Sequence, residues 1–161
     1  MDVIFREFIE ADIPEALVLF NALELEKAEV SFAEVTSEEE LIQWLGEENC
    51  RLYSAIFENK LIAVFRGRIG TGNKRHSVLL TIAVDKNMRG KHIAKQFTLY
   101  CLTDLKRFGV SLARAYVYSN NPSSINTLIA CGFTVSGCVF QHHYNEVTGT
   151  YIDDIIFHKM L

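Results

Sequence analysis

The chain has 161 residues, 49% hydrophobic and 22% charged, with two prolines and a formal net charge of −4. That length suits one hydrophobic core, and the composition is that of a folded domain, which excludes a disordered chain. The acidic balance argues against a broad basic face for coating nucleic acid, and no apolar run reaches the roughly 20 residues that span a bilayer.

The amino terminus MDVIFREFIEAD breaks its apolar residues with acids and an arginine, unlike the continuous apolar segment of a secretory signal, so the chain is read as cytoplasmic. Val3 to Phe8 is strand-like, and Asp12 with Pro14 reads as a helix start, capping residue first and proline in the first turn. A helix to about Lys27 follows, its buried stripe being Ile13, Leu17, Phe20 and Leu23. Thr36 to Glu40 reads as a capping box for a second helix containing Leu41, Ile42, Trp44 and Leu45.

Three strand-like runs come next, Arg51 to Phe57, Leu61 to Ile69 and Ser77 to Val84, divided by turn-forming segments, which makes an antiparallel meander. Past Arg89 the period becomes helical, with Ile93, Phe97, Tyr100, Cys101, Leu105 and Phe108 on one side and Gly109 ending the run. Leu112 to Tyr118 is a strand parallel to the Ser77 strand, because a helical crossover joins them. Asn121-Pro122 opens a helix that stops at Cys131-Gly132, and Phe133 to Tyr144 and Tyr151 to Leu161 are the last strands. With no repeat or linker, residues 1–161 read as one mixed α/β domain.

Cys50, Cys101, Cys131 and Cys138 lack a C-x-x-C spacing and sit in apolar patterns, so neither disulfides nor a metal is expected. His142-His143 reads as half-exposed strand rather than a ligand pair. The stretch Arg89-Gly90-Lys91-His92-Ile93-Ala94 has more chemistry in it. A helix start leaves backbone N–H groups unpaired and carries partial positive charge, small residues let the backbone close on a phosphate, and Arg89 and Lys91 add charge.

TIAVDKNMRGKHIAKQF resembles the acyl-CoA signature of the GNAT superfamily of N-acetyltransferases, an Arg or Gln, two residues, Gly, one residue, then Gly or Ala, after a strand ending in valine. Arg89 and Ala94 match; His92 stands where the family usually has its middle glycine. The family's second motif, an asparagine followed eleven residues later by Gly-Phe, is present as Asn121 with Gly132-Phe133. The resemblance implies a mostly antiparallel sheet of about seven strands, with one parallel pair splayed around acetyl-CoA and about four flanking helices. It implies that Ile82, Ala83 and Val84 offer backbone to the pantetheine arm, that Arg89, Gly90, Lys91, His92, Ile93, Ala94 and Lys95 hold the pyrophosphate, and that Asn121 bonds the arm while capping its helix. A helical φ is expected at His92.

The implied reaction moves an acetyl group from acetyl-CoA, the co-substrate, to a primary amine of a small molecule or peptide amino terminus through a tetrahedral intermediate. An alternative is a GNAT-fold module that senses acyl-CoA without transfer. The feature behind that alternative is Leu128, at the position seven past the asparagine where the family usually has its acidic tyrosine. Tyr118, Tyr144 and Tyr116 are candidates for that acid, and His76, Glu34, Asp153 and Asp154 for the base. The resemblance also raises the expectation of a homodimer through the last strands; no nucleic-acid or membrane partner is expected.

Overall fold

The computed structural model describes residues 1–161 and consists of seven strands in one sheet and four α-helices. In chain order these are β1 (Ile4–Glu7), α1 (Ile13–Leu25), α2 (Glu38–Gly46), β2 (Cys50–Phe57), β3 (Lys60–Ile69), β4 (Ser77–Val84), α3 (Ile93–Leu105), β5 (Leu112–Tyr118), α4 (Pro122–Ala130), β6 (Thr134–Asn145) and β7 (Thr150–Met160). The strand order is β1-β2-β3-β4-β5-β7-β6, antiparallel throughout except for β4 and β5. The crossover through α3 makes that pair parallel, as the strand-helix-strand order requires.

Alternation along the strands divides the apolar residues between two cores, one on each face. Phe65, Val78 and Leu80 pack with Phe97, Leu105 and Leu128 beneath α3 and α4. Val64 and Ala83 pack with Phe20, Phe32, Leu41 and Trp44 beneath α1 and α2. The stripe expected on α1 is buried at Ile13, Phe20 and Leu23, joined by Ala16 and Leu19. On α3, Ile93, Phe97, Cys101 and Leu105 are buried, whereas Tyr100 and Phe108 reach solvent. The helix stops at Leu105, and Phe108 lies in the 3₁₀ turn that follows, closed by Gly109 at φ 80°.

Asp12 is not the side-chain cap of α1. Its carboxylate is buried and accepts two bonds from Arg6 at 2.7 Å each, one from the Ile9 amide at 3.0 Å and one from the Ser54 hydroxyl at 2.7 Å. A cation within reach outcompetes a helix amide for a desolvated carboxylate. One residue thereby ties β1, the entrance of α1 and β2 together.

Candidate functional site

β4 and β5 pair for only three residues, Ser77 with Leu112, Val78 with Ala113 and Leu79 with Arg114. Beyond Leu79 the strands separate, while β4 stays paired to β3 as far as Val84. His76 accepts bonds from the Ser111 and Leu112 amides, and Ser77 accepts one from Gly70 on the opposite side. Backbone groups alternate in direction along a strand, so Leu80, Ile82 and Val84 turn their N–H and C=O groups toward the opening, and Ala83 turns its own toward β3. Tyr116 and Tyr118 face the opening from β5 by the same alternation, with the Tyr118 carbonyl already taken by the Asn121 amide. An open wedge in a sheet, lined by backbone groups without strand partners, can accept an added extended chain.

The wedge leads to the loop before α3. Gly90 has φ 75° and His92 has φ 61°, so the helical φ expected at His92 is not found. The chain must turn left-handed there to bring the extended Arg89 into the helix at Ile93, and this is the conformation in which glycine costs least. No side chain caps α3, so the amides of its first turn, at Ile93, Ala94 and Lys95, are open to an anion. His92→Gly is expected to raise stability by about 0.5–1 kcal/mol, since relief of the left-handed strain exceeds the added freedom of the unfolded chain. Urea denaturation of the variant checks this.

Arg89 does not extend freely from the loop. Its Nε donates to the Val84 carbonyl at 3.2 Å and its Nη1 to Glu26 at 2.8 Å, so its charge is already paired with the end of α1. Lys91 and Lys95 carry the remaining positive charge of the loop. Asn121 caps α4, its Oδ1 accepting from the Ser124 amide at 3.1 Å, which leaves the side-chain NH₂ as a donor. Leu128 is buried in the core among Cys131 and Phe133 and supplies no proton donor.

The sequence-derived catalytic candidates separate sharply. Carrying the register on from Leu79 opposite Arg114 puts Tyr118 level with Ala83, beside the wedge. Burial, then the charges of Asp154, Glu29 and Glu34, push its hydroxyl above the ordinary tyrosine value, which keeps it a proton donor. Tyr144 stands next to His143 in the strand and therefore points to the other face, where its ring meets Tyr151 at 5.2 Å. His76 precedes the far end of β4, roughly 20 Å of extended strand from Ile82. It lines a surface cavity of about 450 Å³ with Arg51, Arg75 and Phe108. Neither residue is brought to the wedge.

Two residues near Tyr118, Glu29 and His143, carry polar groups that sequence reasoning did not assign to the site, and Asp154, one of the base candidates, joins them. Glu29, between α1 and α2, accepts from His143 Nε2 and from Asn145 Nδ2, both at 3.3 Å. The His143 ring lies 4.5 Å from that of Tyr118. A bulge in β6 between Val139 and His143, with Gln141 at φ 51°, adds residues against β7 and sets which way His143 points. Asp154 lies opposite Tyr118 and Val139, and its Oδ1 is buried without a hydrogen-bond partner. Its neighbour Asp153 faces away, accepting from the Gln141 amide at 2.8 Å. The adjacent histidines were the one visible signal; no local pattern ties them to Glu29, 114 residues away.

Solved structures share this arrangement of elements. The ribosomal-protein-alanine N-acetyltransferase from Brucella melitensis superimposes with a TM-score of 0.85 at 23% identity, over 98% of this chain and 99% of that one. A GNAT superfamily phosphinothricin acetyltransferase from Sinorhizobium meliloti, solved in complex with acetyl-CoA, gives 0.86 at 20% identity, over 100% and 89%. The structure of yncA from Salmonella typhimurium with its cofactor acetyl-CoA gives 0.87 at 16%, over 100% and 95%. At those identities the likeness is one of fold. No curated protein sequence matches the chain. The profile of the acetyltransferase (GNAT) family matches residues 18–133, a span that runs from α1 through the wedge, the loop and α4, and the chain belongs to that family.

Proposed function

We propose that the protein is an N-acetyltransferase that moves the acetyl group of acetyl-CoA directly to a primary amine. The observation that carries this reading is the wedge itself, in which strand backbone with no neighbouring strand runs straight into an uncapped helix start. The pantetheine amides would pair with the groups of Ile82 and Val84, and the pyrophosphate would meet the amides of Ile93, Ala94 and Lys95. The thioester would then lie near Tyr118. There, backbone N–H groups of β4 can stabilise the oxyanion of a tetrahedral intermediate, and the Tyr118 hydroxyl can protonate the departing thiolate.

Leu128 favours the alternative, an acyl-CoA sensor, because the usual acid position is filled with core. Tyr118 favours the enzyme, since it offers a protonated hydroxyl at the same wedge from a different strand. Thiol release from acetyl-CoA over a panel of spermidine, glucosamine, an L-amino acid and a dipeptide separates the two. Turnover on one of these, reduced about tenfold or more in Tyr118→Phe, supports the enzyme with Tyr118 as acid. Acetyl-CoA binding without turnover on any amine supports the sensor.

A further inference from the structure

If the protein transfers acetyl groups to amines, as proposed above, something must take a proton from the acceptor's ammonium before its nitrogen can attack. We propose that Glu29 does so, and that His143 and Asn145 are the positioning residues that aim its carboxylate. The inference rests on how the carboxylate is held. One oxygen, Oε1, accepts from both His143 Nε2 and Asn145 Nδ2, each on β6. The second oxygen, Oε2, has no protein partner, and the side chain is 27% exposed. A surface glutamate held by nothing samples many rotamers; this one is pinned through a single oxygen to a strand, and the other oxygen is left to meet a cation.

Its place is equally specific. His143 packs on Tyr118, and the Glu29 charge acts on the Tyr118 hydroxyl. The carboxylate is therefore joined through the His143 ring to the group that would protonate the thiolate, approached from the segment between α1 and α2. His143 pairs with it from β6, and around the neighbouring Tyr118 stand Asp154 on β7, Glu34 in the 3₁₀ turn before α2 and the ring of His142. Glu29, Asp154 and Glu34 make this mouth anionic, which suits an acceptor that arrives as an ammonium.

The step balances as follows. The ammonium gives one proton to Glu29 Oε2, and the free amine attacks the thioester carbon, forming C–N. Collapse of the intermediate breaks C–S with the electron pair on sulfur, and the thiolate takes a proton from Tyr118. The nitrogen loses a second proton, which restores Tyr118 through solvent, and the proton on Glu29 passes to water.

The test compares Glu29→Gln and His143→Gln with wild type, using acetyl-CoA and the best amine of the panel above, and O-benzylhydroxylamine as an acceptor already unprotonated at pH 7. Glutamine at 29 keeps an oxygen for His143 and Asn145 and removes the base. For the ammonium acceptor, Glu29→Gln is expected to lower kcat/KM by about 100-fold or more, with acetyl-CoA affinity unchanged. Its loss on O-benzylhydroxylamine is expected to be less than about fivefold, and His143→Gln is expected to fall between wild type and Glu29→Gln. Equal losses on both acceptors, or a kcat/KM within twofold of wild type, overturn the assignment and leave the acetyltransferase reading standing. Absence of turnover in wild type overturns both.

Discussion

Ala94→Glu is expected to raise the dissociation constant for acetyl-CoA by about 100-fold or more while leaving the melting temperature unchanged or slightly higher. Ala94 is the second residue of α3, where the amides lack partners and no side chain caps the helix. A glutamate in the first turn favours the helix by about 0.3–1 kcal/mol, because it meets the positive end of the peptide dipoles. The same carboxylate competes for the amides that would receive the pyrophosphate, and repels it. Two unit charges about 4 Å apart at an effective dielectric near 20 oppose each other by about 4 kcal/mol, enough for the stated loss after screening. Calorimetric titration and thermal melts read the two effects separately. A variant with normal stability and unchanged affinity would place the phosphates somewhere other than the start of α3.

The second large effect concerns stability. Asp12→Asn is expected to cost about 2–3 kcal/mol, below the full value for a broken buried ion pair because the Arg6 side chain is 36% exposed. For a domain of this size that lowers the melting temperature by about 5–10 °C. The effect should fade in acid. Burial alone would push the Asp12 carboxyl up, but the bonds from Arg6, the Ile9 amide and Ser54, with the Arg6 charge, outweigh it and hold the folded value below the usual aspartate one. Its contribution is therefore full above the unfolded value of about 3.9 and is lost as pH falls through the lower folded value. Melting curves of wild type and variant should converge as pH falls through the folded value; a constant gap would mean that packing, not charge, sets the cost.

The two variants test opposite sides of the sheet. Asp12 secures the layer of α1 and α2, from which Glu26 reaches Arg89 and after which Glu29 reaches β6. Ala94 belongs to the layer of α3 and α4. The wedge between β4 and β5 is where the two layers address the same space.

Much of this was legible in the residues themselves. Ser77 to Val84 and Leu112 to Tyr118 have the observed strand limits, because each is an apolar or alternating run cut off at both ends by residues that cannot continue it. The order of elements dictated the parallel pair, and the small and basic residues of Arg89 to Ala94 stand next to a helix start in the chain itself. These are local properties: turn formation, helix capping and hydrophobic period depend on residues within a few positions of one another.

Properties that depend on distant partners were decided only when the sheet formed. Asp12 reads as a cap in the sequence because Arg6 and Ser54 meet it only in the folded sheet. His92 was expected to be helical because its φ is set by the path from an extended Arg89 into α3, a path no short window contains. Tyr144 and His76 carry suitable groups, but strand alternation turns one to the face opposite His143 and strand length carries the other to the far end of β4. Glu29, His143 and Tyr118 come from a connecting segment, an edge strand and a central strand, and a bulge in β6 sets the direction of His143. Local residues dictate the elements, their order and the small, basic loop before α3; which side chains meet at the wedge follows only from the folded sheet, since register, bulges and burial arise from pairing between residues far apart in the chain.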